Sequence, residues 1–442
     1  MTKPYRLSWS DMGEFRRDQI GKVLELTQQL GRVAHISALG IPIYFISEPE
    51  MIREILVRHA NDLHKDRFTK HMFKRWLGES ILTTEGTKWQ RQRKLIQPIF
   101  HAVHIHDFAA VFADRAKEMC DRWRVGDTYE LGREMMELTL RIICRTMFSE
   151  DIDGLIDKMD EYLKVISKEA QFQLNYPFTV PNWVPLPTYR RQDRAVDGIH
   201  KLLLAIIHKR QARIQNGEEV PSDLLTMLLT SKYEDGQMMS DKQVLDECMV
   251  VFFAGHETTA VGLTWTWATL LQHPDVLEKL TKEIDEVIGD QAVHYEDLAK
   301  MPYLSQVIKE ALRLHPPVAA VARAVTNSFD INGYHFKPKD TIAIHINTLH
   351  QQEEFYPEPH RFDPDRFAPD QEQPDRYTYM PFGAGSRICV GNAFAMLEMQ
   401  IVLATMIQSL RLSLAPGQEF VPQQLITLRP RDGVKVKVGA KR

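Results

Sequence analysis

A glycine-rich stretch around one cysteine, followed by a long and mostly apolar segment, constrains the fold of this chain most. The stretch reads Pro381-Phe-Gly-Ala-Gly-Ser-Arg-Ile-Cys-Val-Gly391, and residues 392–410 then contain no glycine or proline. Such a segment predicts a buried helix, preceded here by a loop. The N-terminus of that helix would favour a thiolate at Cys389, because its free N–H groups carry partial positive charge.

The cysteine loop by itself allows two interpretations. Cys389 could be a thiolate ligand to a metal in a large, flat cofactor, since glycines let such a group approach the backbone closely. It could also be a buried structural cysteine, the most common role of a free cysteine. A structural zinc site is disfavoured, because zinc takes several Cys or His ligands at short spacing and the preceding cysteine is Cys248.

Composition limits the classes of protein that remain. The chain has 442 residues, 44% of them hydrophobic, and we expect one large α-rich domain because no linker or repeat marks a boundary. The formal net charge of −4 argues against a general nucleic-acid-binding protein. Four widely spaced cysteines indicate reduced thiols and a cytoplasmic location. The N-terminus opens without an apolar run, so we expect neither a signal peptide nor a membrane anchor.

The longest helix candidate spans residues 243–273 and would be about 45 Å long. Its apolar centre contains Gly255, which weakens a helix, and the polar residues Glu257, Thr258 and Thr259. Buried polar groups in an apolar helix need partners or a function. These residues therefore form either a polar kink satisfied by the helix backbone or part of a functional site.

Two shorter helices carry pairs of residues at helical spacing. Trp89 and Arg93 share a helix face, and an indole N–H beside a guanidinium makes a good carboxylate site. The alternative is an ordinary amphipathic surface. Glu310 and Arg313 also share a face, on a helix ended by two prolines. Such a pair on an exposed helix contributes little to stability.

Five motifs in order resemble those of the cytochrome P450 family: Trp89-x-x-x-Arg93, Ala254-Gly255-x-Glu257-Thr258-Thr259, Glu310-x-x-Arg313, Phe362-Asp-Pro-Asp-Arg366 and Phe382-x-x-Gly385-x-Arg387-x-Cys389-x-Gly391. The resemblance covers essentially the whole chain and is closest to soluble, bacterial-type members. It implies a mainly α fold with a smaller β-rich lobe (α+β), and haem between the long central helix and the cysteine loop and helix. All of residues 1–442 would form one domain. Its β-rich lobe would lie mainly at about 33–60, 318–350 and 411–442, with the α-rich lobe as the remainder.

The resemblance also implies a role for each motif residue. Cys389 would be the ligand of the iron in haem b. The haem would contact a set of eight residues, namely Trp89, Arg93, Ala254, Arg323, Phe382, Arg387, Cys389 and Gly391. Glu257 and Thr258 would deliver protons, and Glu310, Arg313 and Arg366 would form a structural triad that supports the cysteine loop. The substrate pocket would be lined by Ile81, Leu82, Phe253, Val318, Ala319, Leu425 and Ile426.

The implied activity is that of a haem-thiolate monooxygenase, an oxidoreductase acting on paired donors. It would insert one oxygen atom from O2 into an apolar small molecule by hydroxylation or epoxidation. The alternatives are a haem-thiolate enzyme that uses or rearranges a peroxide, and a haem-based sensor or binding protein. We expect a monomer that receives electrons from a separate ferredoxin or flavodoxin with its reductase. Arg91 and Lys94 are candidates for docking that acidic partner.

Local patterns give further expectations to compare with the structure. Residues 41–47 are β-branched and aromatic and predict a strand. Residues 60–87 have weak periodicity and contain Gly78 and Gly86, so they predict mostly loop. The proline-rich segment 175–187 cannot be a helix. Near the C-terminus, Asp432 and Gly433 predict the turn of a β-hairpin.

Overall fold

The structure is a computed structural model that describes residues 4–38, 40–100, 106–150, 154, 156–174, 184 and 186–441. The proline-rich segment therefore lies outside the described residues, except at Val184, Leu186 and Pro187. The chain forms two compact units. The first consists of Met1–Lys70, Ser305–Cys389 and Val421–Arg431, and the second of His71–Leu304, Val390–Phe420 and Asp432–Arg442.

Helices account for most of the described chain. They are α1 Trp9–Arg17, α2 Gln19–Leu30, α3 Pro49–Arg53, α4 Arg67–Leu77, α5 Gly86–Ile96, α6 Ala109–Arg122, α7 Leu131–Phe148, α8 Ile156–Leu174, α9 Pro187–Gln215, α10 Leu224–Thr230, α11 Asp241–Gln272, α12 Pro274–Val287, α13 Pro302–Leu314, α14 Ile346–Leu349 and α15 Asn392–Ser409. Within the described part of the chain, no helix has both the length and the apolar character that a membrane span needs.

The strands are short and form several small sheets. They are β1 Tyr5–Arg6, β2 Val33–Ala38, β3 Ile41–Ile46, β4 Leu63–Lys65, β5 Thr128–Glu130, β6 Ala320–Val325, β7 Phe329–Ile331, β8 Tyr334–Phe336, β9 Thr341–His345, β10 Leu410–Leu414, β11 Pro422–Gln424, β12 Leu428–Pro430 and β13 Lys435–Lys441. The predicted fold class, mainly α with a smaller β content, is confirmed.

The first unit is built on a six-stranded mixed sheet in the order β1-β2-β3-β9-β6-β4. β3 runs parallel to β9, with Tyr44 opposite Ile342, and β9 runs antiparallel to β6, with Ala343 opposite Ala322. The sheet buries Ile342 and Ile344 in a core that also contains Leu56 and Met380. This core therefore includes the residue that precedes the cysteine loop.

The second unit is organised around α11, which is buried along almost all of its length because its sequence is apolar on every face. It packs most extensively against α7 and also contacts α9 and α15. Helix α15 packs against α6, and the three-stranded sheet β10-β13-β5 belongs to the same unit. The predicted helix over 243–273 is confirmed, with its bounds at Asp241 and Gln272.

Two local predictions were wrong. Residues 67–77 form helix α4 instead of a loop, because Met72, Trp76 and Leu77 are buried on one side of it. The C-terminal residues do not form the predicted hairpin. Gly433 does adopt a turn conformation, with φ of 71°, but β12 pairs with β11 and β13 pairs with β10 and β5. The turn at Gly433 was therefore predicted correctly. The strands that pair with β13 depend on contacts between residues distant in sequence.

Candidate active site

The cysteine loop in the first unit holds its thiol at the surface. Cys389 is exposed, whereas Cys120, Cys144 and Cys248 are buried. The N–H of Cys389 donates to the carbonyl of Phe382 at 3.0 Å, which closes the loop on itself. Gly385 lies in the loop with φ of 70°, and a Cβ there would be 2.5 Å from the carbonyl oxygen of Leu56. The glycine therefore lets the loop pack directly against the segment that follows α3.

The buried cysteines differ chemically from a ligand thiol. Burial raises the pKa of Cys120 to about 12, and burial also raises the pKa of the Cys248 thiol. Both side chains therefore stay protonated and act as small apolar groups in the core. Among the cysteines, Cys389 is the one whose sulfur is accessible to a cofactor.

Glu310 and Arg313 on α13 form a bidentate ion pair in the interior of the first unit. Nε and Nη2 of Arg313 lie 2.7 and 2.8 Å from the two carboxylate oxygens of Glu310, and neither side chain is exposed. Arg313 Nη1 also donates to the carbonyls of His350 and Pro359. Paired and hydrogen-bonded in this way, the buried charges are fully compensated.

Arg366 joins the same carboxylate from the segment after α14. Its Nε lies 3.4 Å from Glu310 Oε1, and its Nη2 donates to the carbonyl of Glu358 at 3.0 Å. The N–H of Asp363 donates to Glu310 Oε1 at 3.0 Å. The structure thus brings together the three residues of the predicted triad, and Glu310 is the point at which α13 and residues 358–366 meet.

Helix α11 is exposed at one place only between Val244 and Leu270. The residues of this stretch that are not buried are Ala254, Gly255 and Thr258. Ala254 and Thr258 are one helical turn apart, so they lie on the same side of the helix. The Thr258 hydroxyl donates to the carbonyl of Ala254 at 2.8 Å. Glu257 and Thr259 are 2% and 3% exposed. The predicted catalytic pair therefore has one partly accessible member, Thr258, and one buried member, Glu257.

The glycine in this helix serves packing between helices. A Cβ on Gly255 would lie 2.5 Å from Cδ1 of Ile143 on α7, and Thr139 of α7 donates to the carbonyl of His256 at 3.0 Å. The lack of a side chain at Gly255 thus allows α7 to approach closely. Ala254 is the small residue on the exposed side of the helix.

Trp89 and Arg93 share a face of α5, as their spacing predicted. The guanidinium carbon of Arg93 lies 5.9 Å from the centre of the Trp89 ring, and Arg93 Nε donates to Gln97 at 3.3 Å. Two other basic residues of this helix, Arg91 and Lys94, form ion pairs with the loop before α11. Arg91 contacts Asp235 at 2.7 Å, and Lys94 contacts Glu234. These acidic partners offset the charge that was expected to attract an electron donor.

The predicted substrate-pocket residues have different environments. In the first unit, the N–H of Leu428 donates to the carbonyl of Pro317 at 2.9 Å, which brings the turn at Leu425 and Ile426 next to the segment with Val318. Val318 is 37% exposed, whereas Ala319 is buried. In the second unit, Ile81 and Leu82 are half-buried, and Phe253 packs its ring at 4.1 Å against the Trp76 ring in the core.

The remaining predicted cofactor contacts also have defined positions. Arg323 lies on β6, and its Nη1 donates to the carbonyl of Ala322 at 2.8 Å. Arg387 ends the helical turn inside the cysteine loop. Gly391 caps α15, and its carbonyl accepts the N–H of Ala395 at 2.9 Å.

Sequence reasoning missed two acidic residues on α11 that hold the loop before α5. Asp246 accepts the N–H of Glu79 at 2.9 Å, and Glu247 accepts the N–H of Ile81 at 3.0 Å. Both side chains are buried, and burial raises the pKa of Glu247 to about 8. The sequence did contain a signal for this role, because Asp246 and Glu247 are adjacent acidic residues in a mostly apolar helix. Acidic side chains that are buried with such a helix require hydrogen-bond partners. These contacts position Ile81 and Leu82.

The residues of each unit, taken separately, have the chemistry that a haem requires. The first unit supplies an exposed sulfur on a loop that Gly385 allows to pack against the segment after α3 and that its own hydrogen bond closes. The second unit supplies an apolar helix whose only opening between Val244 and Leu270 is at small residues and a threonine. A flat apolar ring fits at such an opening, a thiolate is one of the ligands that haem iron takes, and cations neutralise propionates. All three are present among the predicted cofactor residues.

Comparison with known proteins agrees with this chemistry. The family model described as Cytochrome P450 matches residues 4–438. The chain is 31% identical to "Cyclooctatin synthase" from Streptomyces melanosporofaciens over 88% of this chain and 84% of that protein. It is also 31% identical to "Cyclooctat-9-en-7-ol 5-monooxygenase" from the same organism, over 85% and 81%. A human "Ultra-long-chain fatty acid omega-hydroxylase" is 29% identical over 90% and 79%.

The family match spans nearly the whole chain, and the relatives' names describe monooxygenases and hydroxylases. The family implies a haem-iron cofactor, the use of O2 and a redox partner. The chain is therefore an oxidoreductase, and it belongs to the cytochrome P450 family.

Proposed function

We propose that the protein is a haem b monooxygenase in which Cys389 is the thiolate ligand of the iron. The observation that carries this proposal is the exposure of the Cys389 thiol, whereas the other three cysteines are buried. The loop that carries Cys389 is closed by the hydrogen bond from the N–H of Cys389 to the carbonyl of Phe382. Haem, when bound, supplies the oxygen chemistry and accepts electrons, which no side chain can do. The chain's residues hold the group, exclude water and deliver protons.

Four residues would hold the propionates, namely Trp89, Arg93, Arg323 and Arg387. Three of them are guanidinium groups, which pair with carboxylates through parallel hydrogen bonds. The stacking of Arg93 near Trp89 supports a joint role for this pair, because it directs both donors from one face of α5. Phe382, Gly391 and Ala254 would contact the ring itself, since small or apolar side chains permit close approach.

Thr258 and Glu257 would deliver protons to the oxygen-binding side. The Thr258 hydroxyl is partly exposed, and its own hydrogen is directed to the carbonyl of Ala254 at 2.8 Å. Its oxygen lone pairs can therefore accept a hydrogen bond from an incoming water, which would then be held at the opening of the helix as a proton donor. A positioned proton donor of this kind contributes ~10²–10⁴-fold to such steps.

The substrate would be an apolar small molecule. The half-buried Ile81 and Leu82 and the turn at Leu425 and Ile426 support this class, because the side chains are aliphatic. The relatives are named for an alkenol and for ultra-long-chain fatty acids. We propose a terpenoid-like or fatty-acyl substrate that is hydroxylated or epoxidised.

A separate ferredoxin or flavodoxin with its reductase would supply the electrons. The family supports this proposal, because it implies a redox partner. A monomer, one domain over residues 1–442 and a cytoplasmic location remain further proposals. The absence of disulfides among the four cysteines is compatible with a reducing compartment.

The test is the spectrum of the ferrous–CO complex of the haem-loaded protein. We expect the far-red-shifted Soret band that reports a thiolate ligand, and we expect Cys389→Ser to lose it. Cys120→Ser is the matched control, because that thiol is buried, and it should keep the band. Turnover should require NAD(P)H and the donor proteins. Survival of the band in Cys389→Ser would refute the ligand assignment, and turnover with peroxide alone would favour the peroxide-using alternative.

A further inference from the structure

His350 connects the residue before the cysteine loop to the buried ion pair of α13. It directly follows α14 and is completely buried. Its Nδ1 lies 3.1 Å from the carbonyl oxygen of Arg313, and its Nε2 accepts the N–H of Met380 at 2.9 Å. The carbonyl of His350 in turn accepts Nη1 of Arg313 at 2.9 Å. The residue is therefore bonded to Arg313 through both its ring and its backbone.

These partners determine the protonation state of the ring. A carbonyl can only accept, so Nδ1 must carry the hydrogen, and a backbone N–H can only donate, so Nε2 must be bare. The neutral Nδ1–H form is the one form that satisfies both bonds. Burial lowers the pKa of His350 to about 3, which agrees with a neutral ring. The ring also stacks on Tyr379, with centroids 5.4 Å apart and planes at 21°.

The chain from Met380 leads directly into the cysteine loop. Met380 is buried and its carbonyl accepts the N–H of Gly383 at 2.9 Å. Phe382, two residues on, accepts the N–H of Cys389. An ordered path of hydrogen bonds thus runs from Arg313 through His350 and Met380 to the loop that carries the sulfur. Each member lies in the first unit.

We propose that His350 is a positioning residue for the Cys389 ligand, acting through its hydrogen bond to the N–H of Met380. This inference rests on the proposed role of Cys389. The triad alone holds α13 to residues 358–366, and His350 extends that support to the start of the cysteine loop. Without an acceptor at Nε2, the buried N–H of Met380 would have no partner, and the loop would shift to find one.

The displacement would change the iron's ligand field. A thiolate that is held less firmly donates less electron density, so we expect a higher midpoint potential of the iron and partial loss of the far-red Soret band. The amide hydrogens of Met380 and Cys389 should exchange with solvent faster, because their hydrogen bonds open more often. These readouts do not depend on substrate turnover.

Two amide variants separate the bond to Met380 from the loss of the ring. In His350→Asn, the side-chain amide can still donate to the Arg313 carbonyl but is too short to reach Met380. In His350→Gln, the longer side chain places an acceptor near the position of Nε2. His350→Phe removes both bonds and keeps the stacking on Tyr379. His345→Phe is the matched control, because His345 is also buried and neutral but bonds to Thr348.

The measurement compares haem-loaded, full-length variants by ferrous–CO spectrum, midpoint potential and amide exchange. We expect the Asn and Phe variants to lose about half or more of the far-red band, and Met380 to exchange at least about tenfold faster, as the opening of one buried bond allows. The Gln variant and the His345→Phe control should stay close to the parent.

The Asn and Gln pair decides the question even if the Phe variant does not fold. Equal spectra, potentials and exchange rates in these two variants would overturn the role of His350, whether both match the parent or both differ from it. An equal change in the His345→Phe control would also overturn it. If the parent itself lacks the far-red band, the proposed function fails instead, so the two failures are distinguishable.

Discussion

At the scale of single residues, the adjacent threonines Thr258 and Thr259 on α11 differ in exposure, and this difference determines which hydroxyl can contact another molecule. Thr258 is partly exposed and bonds to the carbonyl of Ala254, whereas Thr259 is buried and bonds to the carbonyl of Gly255 at 3.0 Å. Both hydroxyls satisfy themselves within the helix, as threonines in helices often do. Only Thr258 can also contact a molecule at the opening of the helix.

Replacing Thr258 with Ala should therefore uncouple electron use from product formation. Haem should bind and be reduced as in the parent, but the product formed per NAD(P)H consumed should fall by at least about tenfold, because a positioned proton donor contributes ~10²–10⁴-fold to the step that leads to product. The balance of NAD(P)H, product and hydrogen peroxide measures this. Thr259→Ala is the control and should keep the coupling of the parent. Unchanged coupling in Thr258→Ala would remove that residue from the mechanism.

At the scale of elements, the buried Glu310 joins α13 to the segment that carries Arg366. Its carboxylate receives Arg313, Arg366 and the N–H of Asp363. The sequence pattern alone could not distinguish this arrangement from an exposed surface pair. The difference matters, because removing one partner of a buried pair leaves an uncompensated charge.

We expect Glu310→Ala to lower the free energy of unfolding by about 3–5 kcal/mol. The result should be protein that is poorly folded or lacks haem, measured by thermal unfolding and by the ratio of haem to protein. Glu286→Ala is the control, since Glu286 pairs with Lys282 at 3.8 Å on the exposed face of α12. Its cost should be about 0.3–0.5 kcal/mol. A similar small cost for Glu310→Ala would contradict a structural role.

At the scale of the whole molecule, one buried carboxyl group makes stability depend on pH. Glu247 accepts the N–H of Ile81 and the side-chain amide of Gln243, yet burial still raises its pKa from 4.5 to about 8. The folded state therefore binds this proton more tightly than the unfolded state does. Between these two values, the contribution of Glu247 to stability falls as the pH rises.

The predicted slope is at most about 1.4 kcal/mol per pH unit for one group, between about pH 4.5 and pH 8. Glu247→Gln should flatten this part of the profile, because the amide does not ionise. Unfolding in urea at pH 5.5 and pH 7.5, about two units apart, should show that the parent loses stability relative to the variant as the pH rises. Parallel profiles would mean that Glu247 has an ordinary pKa in the folded protein.

The sequence by itself determined the site motifs, the long helix α11 and the mainly α fold. These features depend on spacing along the chain, which sets which side chains share a helix face and where glycine permits a turn. The shared face of Trp89 and Arg93 follows from such local rules, whereas the exposure of Cys389 was decided by the structure.

Only the tertiary structure decided which groups meet across long stretches of chain. His350 lies 37 residues from Arg313 and 30 from Met380. Asp246 accepts an N–H from a residue 167 positions away. The pairing of β13 with β10 in place of β12 has the same origin. No local spacing encodes these contacts, because a buried polar group takes whichever partner the packed chain brings within reach.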